Sequence, residues 1–183
     1  MGSYIEEIVA EYFKIRGYLV STNYWIPFNT KRERIRNGIK QTYSARSWTD
    51  IDVLAQGKSE LLIIQVKTTI NSADVARKVN QHFSRVEKYI SKGIAPDGKS
   101  PIDWWLKSKT IKRLLIYEDR NSPPSYLKII AKKNAEARFF GDYLEEIIDY
   151  VEQKNGVKEE SPVMRLLHFL NNQNMLLPNN PKL

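Results

Sequence analysis

Residues 50–67 read DIDVLAQGKSELLIIQVK, and the way this stretch is punctuated decides the fold. Two β-rich runs, Ile51–Ala55 and Glu60–Thr69, flank the turn-forming sequence Gln56-Gly57-Lys58-Ser59, so the pair predicts a hairpin. The second run is apolar on both faces from Leu61 to Ile64, which places it in the middle of a sheet. Side chains alternate along a strand, so Gln65 and Lys67 share a face. A turn near Gly57 and Lys58 sets Asp52 roughly opposite Ile64 or Gln65. A carboxylate, an amide and an ammonium then converge at one end of a buried strand. Leaving Lys67 there unpaired would cost several kcal/mol, so its head group calls for an anion: Asp52, a phosphate, or both.

Upstream, Ile5, Ile8, Val9, Tyr12 and Phe13 recur with helical spacing and Gly17 follows as a stop, which predicts a first helix over Ile5–Ile15. Glu6 falls just beyond the edge of its apolar arc, while Glu7 and Glu11 are expected on the opposite, wet side. Ser3 and Glu6 stand in capping-box relation, a structural alternative for Glu6. Tyr18–Thr22 reads as a short strand, with a weak extended stretch from Trp25 to Phe28. The segment from Lys31 to Arg46 carries Lys31, Arg32, Arg34, Arg36, Lys40 and Arg46 against the single acid Glu33 and has no clear apolar period. A solvated loop is the usual fate of such a charge run.

Downstream, Val75, Val79, Phe83, Val86 and Ile90 predict a second long helix ending at Gly93, with Arg77, Lys78, Arg85 and Lys88 on its other faces. His82, beside Phe83, reads as structural. A loop over Ile94–Asp103 and strands at Ile111–Tyr117 and Tyr126–Ala131, divided by Pro123 and Pro124, are expected next. Phe139, Phe140, Tyr143, Leu144, Ile147 and Val151 form the stripe of a third helix whose wet face holds Asp142, Glu145, Glu146, Asp149 and Glu152. A shorter helix from about Pro162 to Asn171 precedes a loose tail. The order describes one α/β domain with a mixed central sheet flanked by helices, its core at about 3–155 and a C-terminal helical extension and tail at 156–183.

Composition narrows the chemistry. The chain has 183 residues, no Cys and two His, His82 and His168, which excludes disulfides, thiol nucleophiles, thiolate zinc sites and histidine-rich metal centres. Lys plus Arg number 29 against 21 acids, a net charge of +8 that points to a polyanionic partner. No apolar run approaches the ~20 residues that span a bilayer. Glu6, Glu7 and Glu11 fall where a secretory leader would be apolar, so a soluble, cytoplasmic protein is expected.

An N-terminal helix bearing Glu6, then Asp52 in Asp-Ile-Asp-Val-Leu-Ala, then Gln65-Val66-Lys67, resembles the PD-(D/E)xK nuclease superfamily. Residues 5–11 with Gly17-Tyr18 are similar to the first helix of Mrr-type restriction endonucleases and archaeal Holliday-junction resolvases. The resemblance covers about Tyr4–Thr69. It implies a restriction-endonuclease-like fold and Mg²⁺-dependent hydrolysis of DNA phosphodiester bonds, with Mn²⁺ able to substitute. Glu6, Asp52 and Gln65 would hold the metal ion and Lys67 would stabilise developing charge on the phosphoryl oxygens. It further implies double-stranded or branched DNA as partner, a homodimer, and Lys31, Arg32, Arg34, Arg36, Lys40 and Arg46 as candidate contacts to the DNA backbone. Met164, Leu167 and Leu170 are candidates for the dimer surface. The departure is Gln65, where the commonest pattern has Glu or Asp; a neutral amide weakens metal affinity and disfavours a second ion. Asp50 is an alternative ligand, one step further out on the same strand face.

Overall fold

The computed structural model describes residues 4–92, 110–153 and 161–172. The chain runs α1 (Tyr4–Ile15), β1 (Leu19–Arg36), β2 (Ile39–Gln56), β3 (Glu60–Lys67), α2 (Ala73–Lys92), β4 (Thr110–Tyr117), α3 (Pro124–Ala131), β5 (Ala135–Phe139), α4 (Phe140–Gln153) and α5 (Pro162–Asn172). The five strands lie in sequence order in one sheet, with β1-β2-β3 antiparallel and β3-β4-β5 parallel. This is the expected α/β class with a mixed central sheet flanked by helices, consistent with a restriction-endonuclease-like arrangement.

β3 is central because Leu61–Ile64 are apolar on both faces, and residues 61–66 are all buried. Its two faces feed two cores. Leu62, Ile64 and Val66 pack with Ile5, Val9 and Phe13 of α1, Tyr143 and Ile147 of α4, and Met164 and Leu167 of α5. Leu61 and Ile63 pack with Val79, Phe83, Val86 and Ile90 of α2 and Ile130 of α3. Helix starts are capped locally: the Ser72 hydroxyl accepts from the Val75 amide and the Ser161 hydroxyl from the Met164 amide, each at 3.2 Å. Burial of Met164 and Leu167 at 2% and 3% exposure consumes them in the monomer core, so they do not form the dimer surface first assigned to them.

Four expectations are corrected. The Lys31–Arg46 segment is no loop; β1 and β2 pair continuously from Leu19↔Gln56 to Arg36↔Ile39. The turn is Asn37-Gly38, both at positive φ (52° and 75°), the geometry that two-residue hairpin turns require. Residues 126–131 are helical: Pro124 opens α3, and Tyr126, Leu127 and Ile130 fall on one helical face. The residues Ala135–Phe139 form the short edge strand β5, so the following helix begins at Phe140; Ala-Glu-Ala-Arg-Phe has little strand propensity to announce it. Glu11 is buried, not wet, and is paired with Lys14 at 2.6 Å. Ser3, Gly93, the 94–103 loop and the tail lie outside the described residues.

Candidate functional site at the point where β2 leaves the sheet

β2 pairs with β3 only from Gln56↔Leu61 to Val53↔Ile64. Beyond that, no described strand flanks β2 on that side, and β1 with β2 continues as a two-stranded ribbon in which every residue from 31 to 44 is exposed. Asp52 stands at the fork. Val53 and Ala55 belong to the α1-side core, yet Ile51 belongs to the α2-side core, although residues two apart on a regular strand share a face. β2 therefore coils at Asp52, and Asn23 on β1, one step from the Thr22↔Val53 pair, takes φ 52°.

The ladder bond missing at the fork is replaced by the Asp52 side chain. Its Oδ2 accepts from the Val66 backbone amide at 2.7 Å and from the Gln65 side-chain amide. The Lys67 ammonium lies 3.9 Å from the same oxygen, with 40% of its side chain exposed against 8% for Asp52. Burial pushes the Asp52 carboxyl up to about 6; the Lys67 charge and the Val66 amide pull the other way, and Glu6 and Asp50 add to the rise. Desolvation thus outweighs the nearby cation. Glu6 of α1, half-buried, is electrostatically within reach of Asp52.

So the fold brings Asp52, Gln65 and Lys67 into contact and Glu6 close to them. Gln65 is 4% exposed, and its Oε1 is buried without a hydrogen-bond donor. An orphaned carbonyl oxygen beside a buried carboxylate is a donor set that suits a hard cation, which takes oxygen ligands and retains waters. Among the described residues no three His, Asp or Glu side chains converge at ligand distances. Any ion here would therefore rest on Asp52 and Gln65, with Glu6 reaching in from α1 and water completing the shell.

The six basic residues divide between two faces of the ribbon. Register partners in an antiparallel pair point the same way, so Arg32, Arg34 and Arg36 share a face with Tyr43, Gln41 and Ile39. Lys31, Lys40 and Arg46 occupy the other, with Trp25 and Trp48. Contacts agree: Arg34 covers the Tyr43 ring, Arg46 covers Trp48, and Lys40 pairs with Glu33 at 2.8 Å.

His82, on α2, is a neighbour the sequence did not place at the site. Its Nδ1 lies 3.1 Å from the Thr49 hydroxyl and its Nε2 is buried without a partner. Burial drives its pKa down to about 4; Lys67 adds to the fall and Asp50 opposes it. The ring is thus neutral, wedged between α2 and the ribbon base, in keeping with a structural role. Only tertiary packing of α2 brings it there, so no local pattern signals it.

Among the described residues no helix is long and apolar enough to cross a membrane. No protein-family model matches the chain, and neither does any curated protein. Among solved structures the chain is similar to the crystal structure of AF1548, a protein of unknown function, with 12% sequence identity, a TM-score of 0.46, and coverage of 94% of this chain and 98% of that one.

Proposed function

We propose that the chain is a metal-dependent nuclease that hydrolyses DNA phosphodiester bonds, an endonuclease working as a homodimer on double-stranded or branched DNA. The observation that carries this reading is Asp52: a carboxylate buried at a strand fork, touching an amide with an orphaned oxygen and facing a half-exposed lysine. Buried charge with so little compensation is costly to the fold, which is the pattern of a functional group more than of a structural one. Glu6, Asp52 and Gln65 would hold Mg²⁺ or Mn²⁺, and the ion would polarise the phosphate and lower the pKa of the attacking water.

The protein groups divide the remaining work. Lys67 extends past Asp52 toward solvent, where its ammonium can neutralise charge growing on non-bridging phosphoryl oxygens. The Val66 amide and Gln65 fix the carboxylate's orientation, so no side-chain reorganisation is needed at the moment of reaction. Lys67, 40% exposed beside the buried Asp52, marks the side from which a phosphodiester would approach.

Plasmid nicking tests the reading. Cleavage with Mg²⁺ or Mn²⁺ should fall by two orders of magnitude or more in Asp52→Asn and Lys67→Ala, while circular dichroism shows the fold intact. Calorimetric titration should detect divalent-ion binding to the wild type and not to Asp52→Asn. Cleavage that survives both substitutions overturns the assignment.

A second reading is favoured by the neutral Gln65 and the absence of three converging acids among the described residues: a nuclease-like fold that binds nucleic acid without turnover. It is distinguished by salt-sensitive DNA binding with no cleavage under any divalent ion, and by gain of metal affinity in Gln65→Glu.

A further inference from the structure

Between α2 and α3 lies a cavity of about 530 Å³ lined by Arg77, Arg85, Lys132 and Lys133 together with Asn80, Gln81, Ser84 and Ile129. No acid lines it. Among the described residues none of the four cations is in an ion pair, whereas Lys78 and Arg113 nearby are paired with Asp74 and Glu87. Four like charges around one cavity repel, and an anion that enters is attracted by all of them. Asn80, 9% exposed, lines the same cavity; its amide nitrogen donates to the Ile129 carbonyl at 2.9 Å, and its Oδ1 is buried without a partner. That oxygen needs a donor, which neither a phosphodiester nor a deoxyribose within a strand has but the attached base does.

Arg85 links this cavity to the ribbon. It lines the cavity and its guanidinium also sits 4.7 Å over the ring of Phe28. Phe28 shares its strand face with Arg32, Arg34 and Arg36, at two-residue steps. The row of cations therefore runs from the α2–α3 cavity, across the contact of Arg85 with Phe28, out along one face of the ribbon. From Arg77 to Arg85 a helix rises about 12 Å, and from Phe28 to Arg36 a strand extends about 27 Å. With the 4.7 Å step from Arg85 to Phe28 the row reaches at most about 44 Å end to end, the length of roughly thirteen base pairs at about 3.4 Å each.

We infer that the α2–α3 cavity is a second nucleic-acid site, which seats a nucleotide unit of the same strand backbone that the arginine face of the ribbon tracks, and so extends the footprint beyond the ribbon. The inference rests on the nuclease reading and adds to it a footprint and four residues outside the candidate site. Lys31, Lys40 and Arg46, on the opposite face, lie off this path.

The test is fluorescence anisotropy with labelled duplexes of 8 and 20 base pairs, at a series of salt concentrations, for the wild type and for Arg77→Gln/Arg85→Gln/Lys132→Gln/Lys133→Gln, with thermal melting to show that the variant folds. The wild type should bind the longer duplex at least tenfold more tightly. In the variant that advantage should disappear, and the slope of log affinity against log salt should shrink by about 1–2, at about 0.9 for each of the one or two phosphates of the seated unit. Unchanged affinity and slope in a folded variant overturn the inference while plasmid cleavage by the wild type leaves the nuclease reading standing. Failure of the wild type to bind either duplex at low salt overturns both. Micromolar binding of inorganic phosphate or a mononucleotide that does not compete with the duplex overturns it in favour of a free phosphate ligand.

Discussion

Asp52 should destabilise the protein it serves. Burial raises its carboxyl from the ordinary 3.8 to about 6, and a gap of about two units is worth about 3 kcal/mol. The sign follows from which form the fold prefers. A raised acid is bound more readily by protons in the folded than in the unfolded chain, so stability falls as pH rises. Below about pH 4 both states are protonated and nothing is lost. Between about pH 4 and 6 the unfolded chain ionises and the folded one resists, and above about 6 the full penalty is in place. Asp52→Asn keeps the shape and an oxygen that can accept from the Val66 amide and Gln65, but has no charge to bury. The variant should therefore be more stable than the wild type by up to about 3 kcal/mol at pH 8, a rise in melting temperature of roughly 6–12 °C for a chain of this size, with the difference vanishing near pH 4. Urea denaturation in chelator, at pH 4, 5, 6 and 8, measures it. Added Mg²⁺ at pH 8 should then raise the wild-type midpoint and leave Asp52→Asn where it was, because an ion that binds only the folded carboxylate stabilises only that protein. A stability difference independent of pH, or an Asn variant that is weaker at pH 8, refutes the reasoning.

His82 titrates in the opposite sense. Its folded value of about 4 lies below the ordinary 6.5, so its contribution is complete above about pH 6.5 and is lost as pH falls toward 4; nuclear magnetic resonance should find the ring still neutral at pH 5.5, and His82→Gln should flatten the acid limb of stability. Neutralising Arg32, Arg34 and Arg36 together should lower the salt slope of DNA binding by about 2–3, at about 0.9 per phosphate, and an unchanged slope would remove that face from the interface. At the ribbon tip Gly38 has φ 75° and open space around it, so Gly38→Ala meets no clash but bears about 1 kcal/mol of backbone strain; amide exchange over residues 31–44 should quicken while the melting temperature of the domain holds.

The hairpin at 50–67 and the helices α1, α2 and α5 were legible because each is dictated by neighbours in sequence: an alternating run, a turn, a helical stripe, a stop. Asp52, Gln65 and Lys67 were legible for the same reason, being two strands of one hairpin. The ribbon was not, although Asn37-Gly38 is a strong turn signal, because charges and not alternating apolar residues flank it; a ribbon with no core to face needs no such alternation. Residues 126–131 misled because Tyr, Leu and two Ile satisfy either period over so short a span, and Pro124 decided for the helix. The meeting of His82 with Thr49 and of Arg85 with Phe28 depends on how α2 lies across the sheet, which no local pattern encodes.

Past Asp52 the ribbon has backbone amides and carbonyls along both margins with no described strand to satisfy them. Such a margin invites a strand from any other molecule, including a second copy of this chain, and leads to aggregation unless something opposes it. Lys31, Arg32, Arg34, Arg36, Lys40 and Arg46 oppose it: two ribbons brought side by side would press like charges together. The charge proposed to meet a polyanion would thus also oppose edge-to-edge association of the free protein, which couples the two uses. Variants that neutralise these residues should therefore associate more readily at low salt than the wild type.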